Sequence, residues 1–116
     1  MRDIGERLLD FATVCLKLST KLGRTAAGRY VGGQLMRSAA SSGANYHEAC
    51  GAESRADFAH KLQIVLKELR ETEYWLKLVG RAGLASVEDI KPAASEADEL
   101  ALIIAKSVLT VKSRSK

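Results

Sequence analysis

Apolar residues recur every three or four positions in four separate stretches of this chain, and this spacing constrains the fold more than any other feature. In the first stretch the repeat runs through Ile4, Leu8, Phe11, Cys15, Leu18 and Leu22. Such spacing places the apolar side chains on one face of an α-helix. No competing stretch alternates with the period of two that a half-buried strand requires. The sequence therefore predicts an all-α protein.

Capping residues set the ends of the four predicted helices, which cover residues 3–22, 25–49, 54–80 and 86–112. Thr25, Ser54 and Ser86 stand at the starts of the last three helices, where a hydroxyl can accept an orphan backbone N–H. Glycine follows the first two helices and can end them. Long helices joined by short loops predict an antiparallel up-down-up-down four-helix bundle, which forms a single domain over residues 1–116.

The second predicted helix is unusually rich in small residues. Gly28, Gly32, Gly33 and Gly43 each weaken a helix by about 1 kcal/mol relative to alanine. We expect this cost where a neighbouring backbone approaches closely. A frayed or kinked helix is the alternative, because three of the four glycines lie near the helix start.

Polar residues fall on the predicted inward face of the second helix and around the turn that follows it. Asn45 and Glu48 lie about one helical turn apart, and an inward carboxylate needs a partner because burying it unpaired is costly. We interpret five residues as a structural polar network that fixes helix register, namely Arg37, Asn45, Glu48, Ser54 and Asp57. The alternative is a catalytic pocket around Asn45, His47 and Glu48, but no nucleophile or phosphate-binding motif accompanies them.

The basic charge of the chain is concentrated in two segments. The formal net charge is +4, which permits contact with nucleic acid without requiring it. In an up-down bundle residues 17–29 and 77–91 lie at one end. Their seven cations, which we call the basic pole, are Lys17, Lys21, Arg24, Arg29, Lys77, Arg81 and Lys91. Tyr30 is the one aromatic residue expected there, so base-specific recognition is not expected. A solvated loop end is the alternative interpretation.

The histidines and cysteines do not predict a metal or cofactor site. His47 and His60 are the only histidines, and a di-iron bundle needs a Glu-x-x-His pair on each of two helices. His47 and Cys50 form one spaced pair without the second pair that zinc requires. No run approaches the roughly 18 apolar residues of a membrane span, and the N-terminus is charged rather than continuously apolar. We expect no metal, no cofactor, no membrane contact and a cytoplasmic location.

The stretch from Gln34 to Phe58 carries a motif that is similar to a known family. It reads Q-L-x-R-S-A-x-S-x-x-A-N-x-x-E over residues 34–48 and S-x-x-D-F over residues 54–58, and a later run reads E-L-x-E-T-x-x-W-L over residues 68–76. The chain thereby resembles the four-helix bundle family first noted as open reading frames in intervening sequences of bacterial 23S rRNA genes. Ala49 stands where the family usually has glycine, and Gly43 where it commonly has proline.

The resemblance implies a homo-oligomer, commonly a pentameric barrel. The family includes the accessory variability protein of diversity-generating retroelements, which is strongly basic, binds nucleic acid and associates with a reverse transcriptase. We therefore expect a non-enzymatic accessory factor that binds RNA or DNA through the basic pole with little sequence preference. The alternative is an adaptor or scaffold oligomer. It would dock a protein such as a reverse transcriptase through exposed Ile64, Trp75 and Leu78, without touching nucleic acid.

Overall fold

Four α-helices account for most of the chain in the computed structural model, which describes residues 3–114. They are α1 (Ile4–Lys21), α2 (Ala26–Cys50), α3 (Arg55–Arg81) and α4 (Val87–Arg114). The predicted all-α four-helix bundle is confirmed. Each expected helix end lies within two residues of the observed end, and the expected starts are the capping residues themselves.

Side-chain caps begin the helices, because the first N–H groups of a helix have no carbonyl partner within it. Thr25 Oγ1 accepts the N–H of Gly28 at 3.0 Å, at the start of α2. Ser54 Oγ accepts the N–H of Asp57 at 3.0 Å, at the start of α3. At the start of α4, Ser86 Oγ accepts a backbone N–H at 3.1 Å. These contacts explain why the helix starts could be read from the sequence.

The helices pack side by side in chain order, and α4 returns to contact α1. The α1–α4 contact is the smallest of the four, and Arg7 reinforces it with Nη2 2.7 Å from Glu96 Oε1 and 3.1 Å from Glu99 Oε1. The bundle is elongated, at 49 × 22 × 20 Å. The end of α1 lies beside the start of α4, so the α1–α2 and α3–α4 turns share one end. At the other end, Arg55 donates to the carbonyl of Arg114 at 2.9 Å.

The four apolar stripes meet in a core of mainly aliphatic side chains. Leu8, Leu35, Leu69 and Ile104 are fully buried, one from each helix. Cys15 belongs to the α1 stripe and is also fully buried, and desolvation raises the pKa of its thiol to about 12. A thiol in this environment stays protonated at neutral pH, so Cys15 contributes packing rather than reactivity.

The glycines of α2 allow its backbone to approach α1 closely. A Cβ atom on Gly28 would lie 1.9 Å from the carbonyl oxygen of Leu22, and one on Gly32 would lie 3.1 Å from the carbonyl oxygen of Ser19. Gly33 has nothing within 4 Å of its Cβ position. The close approach expected from the sequence is thus confirmed at Gly28 and Gly32. α2 runs without interruption from Ala26 to Cys50.

Buried hydroxyl groups lie where α2 packs against α3. Ser38 and Thr72 are fully buried, and Thr72 Oγ1 donates to Ser38 Oγ at 2.8 Å. Ser42 is also fully buried, and its hydroxyl donates to the carbonyl of Ala39 at 2.7 Å. Among the described residues, no buried side-chain nitrogen or oxygen lacks a hydrogen-bond partner. The small polar side chains therefore allow close helix packing without the cost of an unpaired group.

Candidate nucleic-acid interface

The basic pole occupies the end of the bundle that carries the α1–α2 and α3–α4 turns. Lys21 Nζ of α1 lies 4.0 Å from Asp89 Oδ1 of α4, which places the start of α4 beside the end of α1. The side chains of all seven basic residues are exposed. Their only acidic counterparts in the same two segments are Glu88 and Asp89. This end of the bundle is therefore positively charged, and a binding role for it stays a prediction.

Hydrogen bonds to backbone carbonyls fix the shape of both turns at this end. Gly83 has a φ of 68°, and its N–H donates to the carbonyl of Gly80 at 3.2 Å. The N–H of Leu84 donates to the carbonyl of Val79 at 3.0 Å, which completes a Schellman motif. In the other turn, Arg29 Nη1 donates to the carbonyl of Gly23 at 3.3 Å. Arg24 therefore lies in a structured turn, and the other six cations lie in the helices beside the two turns.

The five residues predicted as one polar network do not come together. Glu48 is exposed, because Ala49 takes the core position at this point of α2 and is 1% exposed. The side chain of Asn45 donates to the carbonyl and the hydroxyl of Ser41, at 2.9 and 3.0 Å. Ser54 caps α3 at Asp57. The inward position predicted for Glu48 was wrong, because a helix rotates by about 100° per residue.

Arg37 instead connects α2 to α3 through carboxylates that the network prediction did not include. Its Nη1 lies 3.3 Å from Glu68 Oε2, and its Nη2 contacts the carboxylate of Glu71. Its Nε donates to Gln34 Oε1 at 3.2 Å. Glu68 is only 8% exposed, so it depends on this guanidinium for compensation of its charge.

We expect the substitution Arg37→Met to lower the free energy of unfolding by about 1–2 kcal/mol. Removing one partner of a fully buried pair costs about 3–5 kcal/mol, and the exposure of Arg37 reduces this effect by solvent screening. Urea unfolding measures the change. Arg70→Met is the matched control, because Arg70 pairs with Glu73 within α3 and is exposed. Equal losses in the two variants would contradict this account of Glu68.

Three aromatic side chains meet on the outer surface of α2 and α3, close to the basic pole. The ring centroids of Tyr30 and Trp75 are 6.2 Å apart, and those of Tyr74 and Trp75 are 5.1 Å apart, both with edge-to-face geometry. Tyr30 and Tyr74 are 63% and 59% exposed. The expectation that Tyr30 stands alone near the pole was wrong, because helix packing joins residues that are distant in sequence.

The apolar docking surface expected for an adaptor is largely covered. Ile64, Trp75 and Leu78 are half-buried, and Trp75 and Leu78 pack against the core. The Trp75 indole N–H also donates to Glu71 Oε2 at 2.9 Å. Less of their apolar surface is therefore available to a partner than the sequence indicated.

A different apolar surface lies open, in a groove of about 850 Å³ between α1 and α2. Leu9 and Leu16 line it and are 60% and 44% exposed. Ala40 and Ala44 contribute from α2. Small residues opposite two leucines leave space for another apolar element, which makes the groove a candidate for association.

The described helices offer neither a metal cluster nor a membrane span. Within residues 3–114, no group of three or more His, Cys, Asp and Glu side chains is placed to hold a metal ion. No helix in the same range is long and apolar enough to cross a membrane.

The profile of the 23S rRNA-intervening sequence protein family matches residues 3–106, nearly the whole chain. The chain belongs to this family. It is also similar to a crystal structure from Bacteroides thetaiotaomicron VPI-5482, described as a protein with unknown function from the S23 ribosomal protein family. The two are 34% identical with a TM-score of 0.86, over 91% of this chain and 98% of that one. No curated protein matches significantly. Neither description names an enzymatic activity.

Proposed function

We propose that this family member is a non-enzymatic, homo-oligomeric RNA-binding accessory factor of the cytoplasm. The observation that carries the proposal is the collection of seven exposed cations at one end of the bundle, one in the α1–α2 turn and six in the helices beside the two turns. Lysine and arginine bind the phosphate backbone whatever its sequence, because neutralised phosphates release their counterions. The binding we propose is therefore sequence-tolerant.

Self-association supports this function because it multiplies a modest charge. One protomer carries a net charge of only +4. In a ring of parallel protomers, such as a pentamer, the basic poles lie side by side and form a continuous positive rim. The groove between α1 and α2, with its exposed Leu9 and Leu16, is the surface that we assign to contact with a second copy.

Charge reversal at the pole tests the proposal directly. We expect Arg24→Glu combined with Arg81→Glu to weaken binding to a labelled RNA by about 100-fold at low salt. The salt dependence should also become shallower, because fewer phosphates are neutralised. Fluorescence anisotropy over a salt series measures both effects.

The matched control is Lys106→Glu combined with Lys112→Glu, which reverses two exposed cations in the second half of α4, away from the pole. It should change RNA affinity only slightly. If the control loses as much affinity as the pole variant, or if the unmodified protein retains no RNA at low salt, the proposal fails.

An adaptor function is the second candidate. A groove of about 750 Å³ between α3 and α4 favours it, because apolar Leu76, Ile90 and Ala94 line the groove and Val87 beside them is 73% exposed. A protein partner such as a reverse transcriptase would bind there without RNA. Val87→Asn, which adds no charge to the basic pole, should abolish recovery of the reverse transcriptase in a pull-down with purified proteins while leaving RNA affinity unchanged. If the Val87 variant and the unmodified protein recover equal amounts of the reverse transcriptase, the adaptor function is contradicted.

A further inference from the structure

The outer face of α3 carries a continuous row of cations around one tyrosine. We call this row the α3 stripe, and its members are Lys67, Arg70, Tyr74, Lys77 and Arg81. They recur every three, four or seven positions, which places them on one face of the helix, and all five are exposed. At a rise of about 1.5 Å per residue the stripe is roughly 21 Å long. It therefore extends the basic pole along the side of the bundle.

The carboxylates of α3 lie beside the stripe and already face cations. Glu68 and Glu71 contact Arg37 of α2. Glu73 Oε1 lies 3.1 Å from Arg70 Nη1, so it reduces the charge of one stripe member. On the α4 side, the adjoining groove is lined by Lys91 and Asp98, one charge of each sign. Lys67, Lys77 and Arg81 thus keep the stripe positive despite these neighbours.

Tyr74, like Tyr30, is exposed and in edge-to-face contact with Trp75, but Tyr74 also lies between the cations of the α3 stripe. Its contact with Trp75 orients the phenol ring, and 59% of the residue surface stays exposed. Trp75 is itself in edge-to-face contact with Tyr30 of α2. An immobilised aromatic ring between cations is the arrangement by which proteins bind single strands, with bases stacked on the ring and phosphates near the charges.

We propose that the α3 stripe binds single-stranded RNA, with an unpaired base stacked on Tyr74 and phosphates beside Lys67, Lys77 and Arg81. The inference rests on the proposed RNA binding and names the form of RNA that is bound. Bases in a duplex stack on one another and do not reach a side chain on a helix surface, so Tyr74 favours a single strand. The phosphate contacts alone bind either form.

Substitution of Tyr74 separates the contribution of base stacking to RNA affinity from the contribution of charge. With a labelled single-stranded oligo(U) probe, Tyr74→Leu should weaken binding about tenfold, the order expected for one lost stacking contact. With a labelled hairpin duplex of similar length the loss should stay below twofold. Tyr74→Phe keeps the ring and should retain the affinity of the unmodified protein. Lys67→Ser combined with Lys77→Ser should weaken binding of both probes and reduce the salt dependence.

Fluorescence gives an independent readout, because Trp75 is the only tryptophan and touches Tyr74. Oligo(U) should quench its emission in the unmodified protein and in Tyr74→Phe, and much less in Tyr74→Leu. If the oligo(U) affinities of the unmodified protein and of Tyr74→Leu differ by less than twofold, the stacking proposal is wrong, but the proposed RNA binding is not contradicted. If neither probe binds at low salt, both proposals are wrong. If light scattering shows that Tyr74→Leu changes the mass of the protein in solution, Tyr74 lies at a contact between copies. The proposal that the α3 stripe binds RNA would then also be wrong.

Discussion

Replacing Gly28 by alanine should destabilise the bundle by about 3 kcal/mol, the upper part of the usual range for adding a methyl group to a packed core. The added Cβ would lie 1.9 Å from the carbonyl oxygen of Leu22 and 3.0 Å from Thr25 Oγ1. The first atom belongs to the backbone, so it cannot rotate away. The second belongs to the side chain that caps α2. Relief of the clash would therefore move α2 away from α1 or break its cap.

Gly33 provides the matched control within the same helix. Its Cβ position is open, so Gly33→Ala should stabilise the protein by up to about 1 kcal/mol through helix propensity alone. Urea unfolding followed by circular dichroism gives both values. If the two alanine variants change stability in the same direction, the close approach of α2 and α1 at Leu22 does not limit packing. A variant at Gly28 that fails to fold agrees with the prediction, provided that Gly33→Ala folds.

Local chemistry explains how much of the fold was predictable from the sequence. Helix starts are set by hydroxyls that bond to backbone groups three residues ahead, as at Thr25 and Ser54, so a short window of sequence contains the whole interaction. The apolar period likewise depends only on spacing along one helix. The close approach at Gly28 was predictable because glycine in a helix interior is costly unless packing requires it.

Features that depend on how two helices face each other were not predictable. Glu48 and Ala49 are neighbours in sequence, and a rotation of α2 by one residue decides which of them faces the core. The meeting of Tyr30 with Trp75 likewise depends on the relative position of α2 and α3. The spacing of Lys67, Tyr74 and Arg81 along α3 is visible in the sequence, but their exposure depends on which face of α3 packs against its neighbours.

The second large effect concerns assembly. Leu9→Glu combined with Leu16→Glu should reduce the mass in solution from a multiple of 12.6 kDa to the single-chain value. Both leucines are substantially exposed in the protomer, so the charges cost the isolated fold little. In an assembly that covers the groove between α1 and α2, two buried and unpaired carboxylates would each cost several kcal/mol. Light scattering coupled to size exclusion measures the mass.

Leu102→Glu is the matched control, since Leu102 of α4 is 58% exposed and lies outside the groove. It should leave the mass unchanged. If the groove variant, the control and the unmodified protein have the same mass, the α1–α2 groove is not the contact between copies. Circular dichroism of the groove variant separates a folded monomer from an unfolded chain.

The groove variant also links assembly to RNA binding. It leaves all seven pole residues and the α3 stripe intact, so one protomer keeps its own contacts with RNA. An oligomer holds several such sites together, and binding at one site raises the effective RNA concentration at the next. The folded monomer should therefore bind a long RNA about 100-fold more weakly than the oligomer, yet bind an oligonucleotide that reaches only one protomer almost equally well. An equal loss for both lengths would mean that the groove substitutions damage the RNA site of the protomer itself.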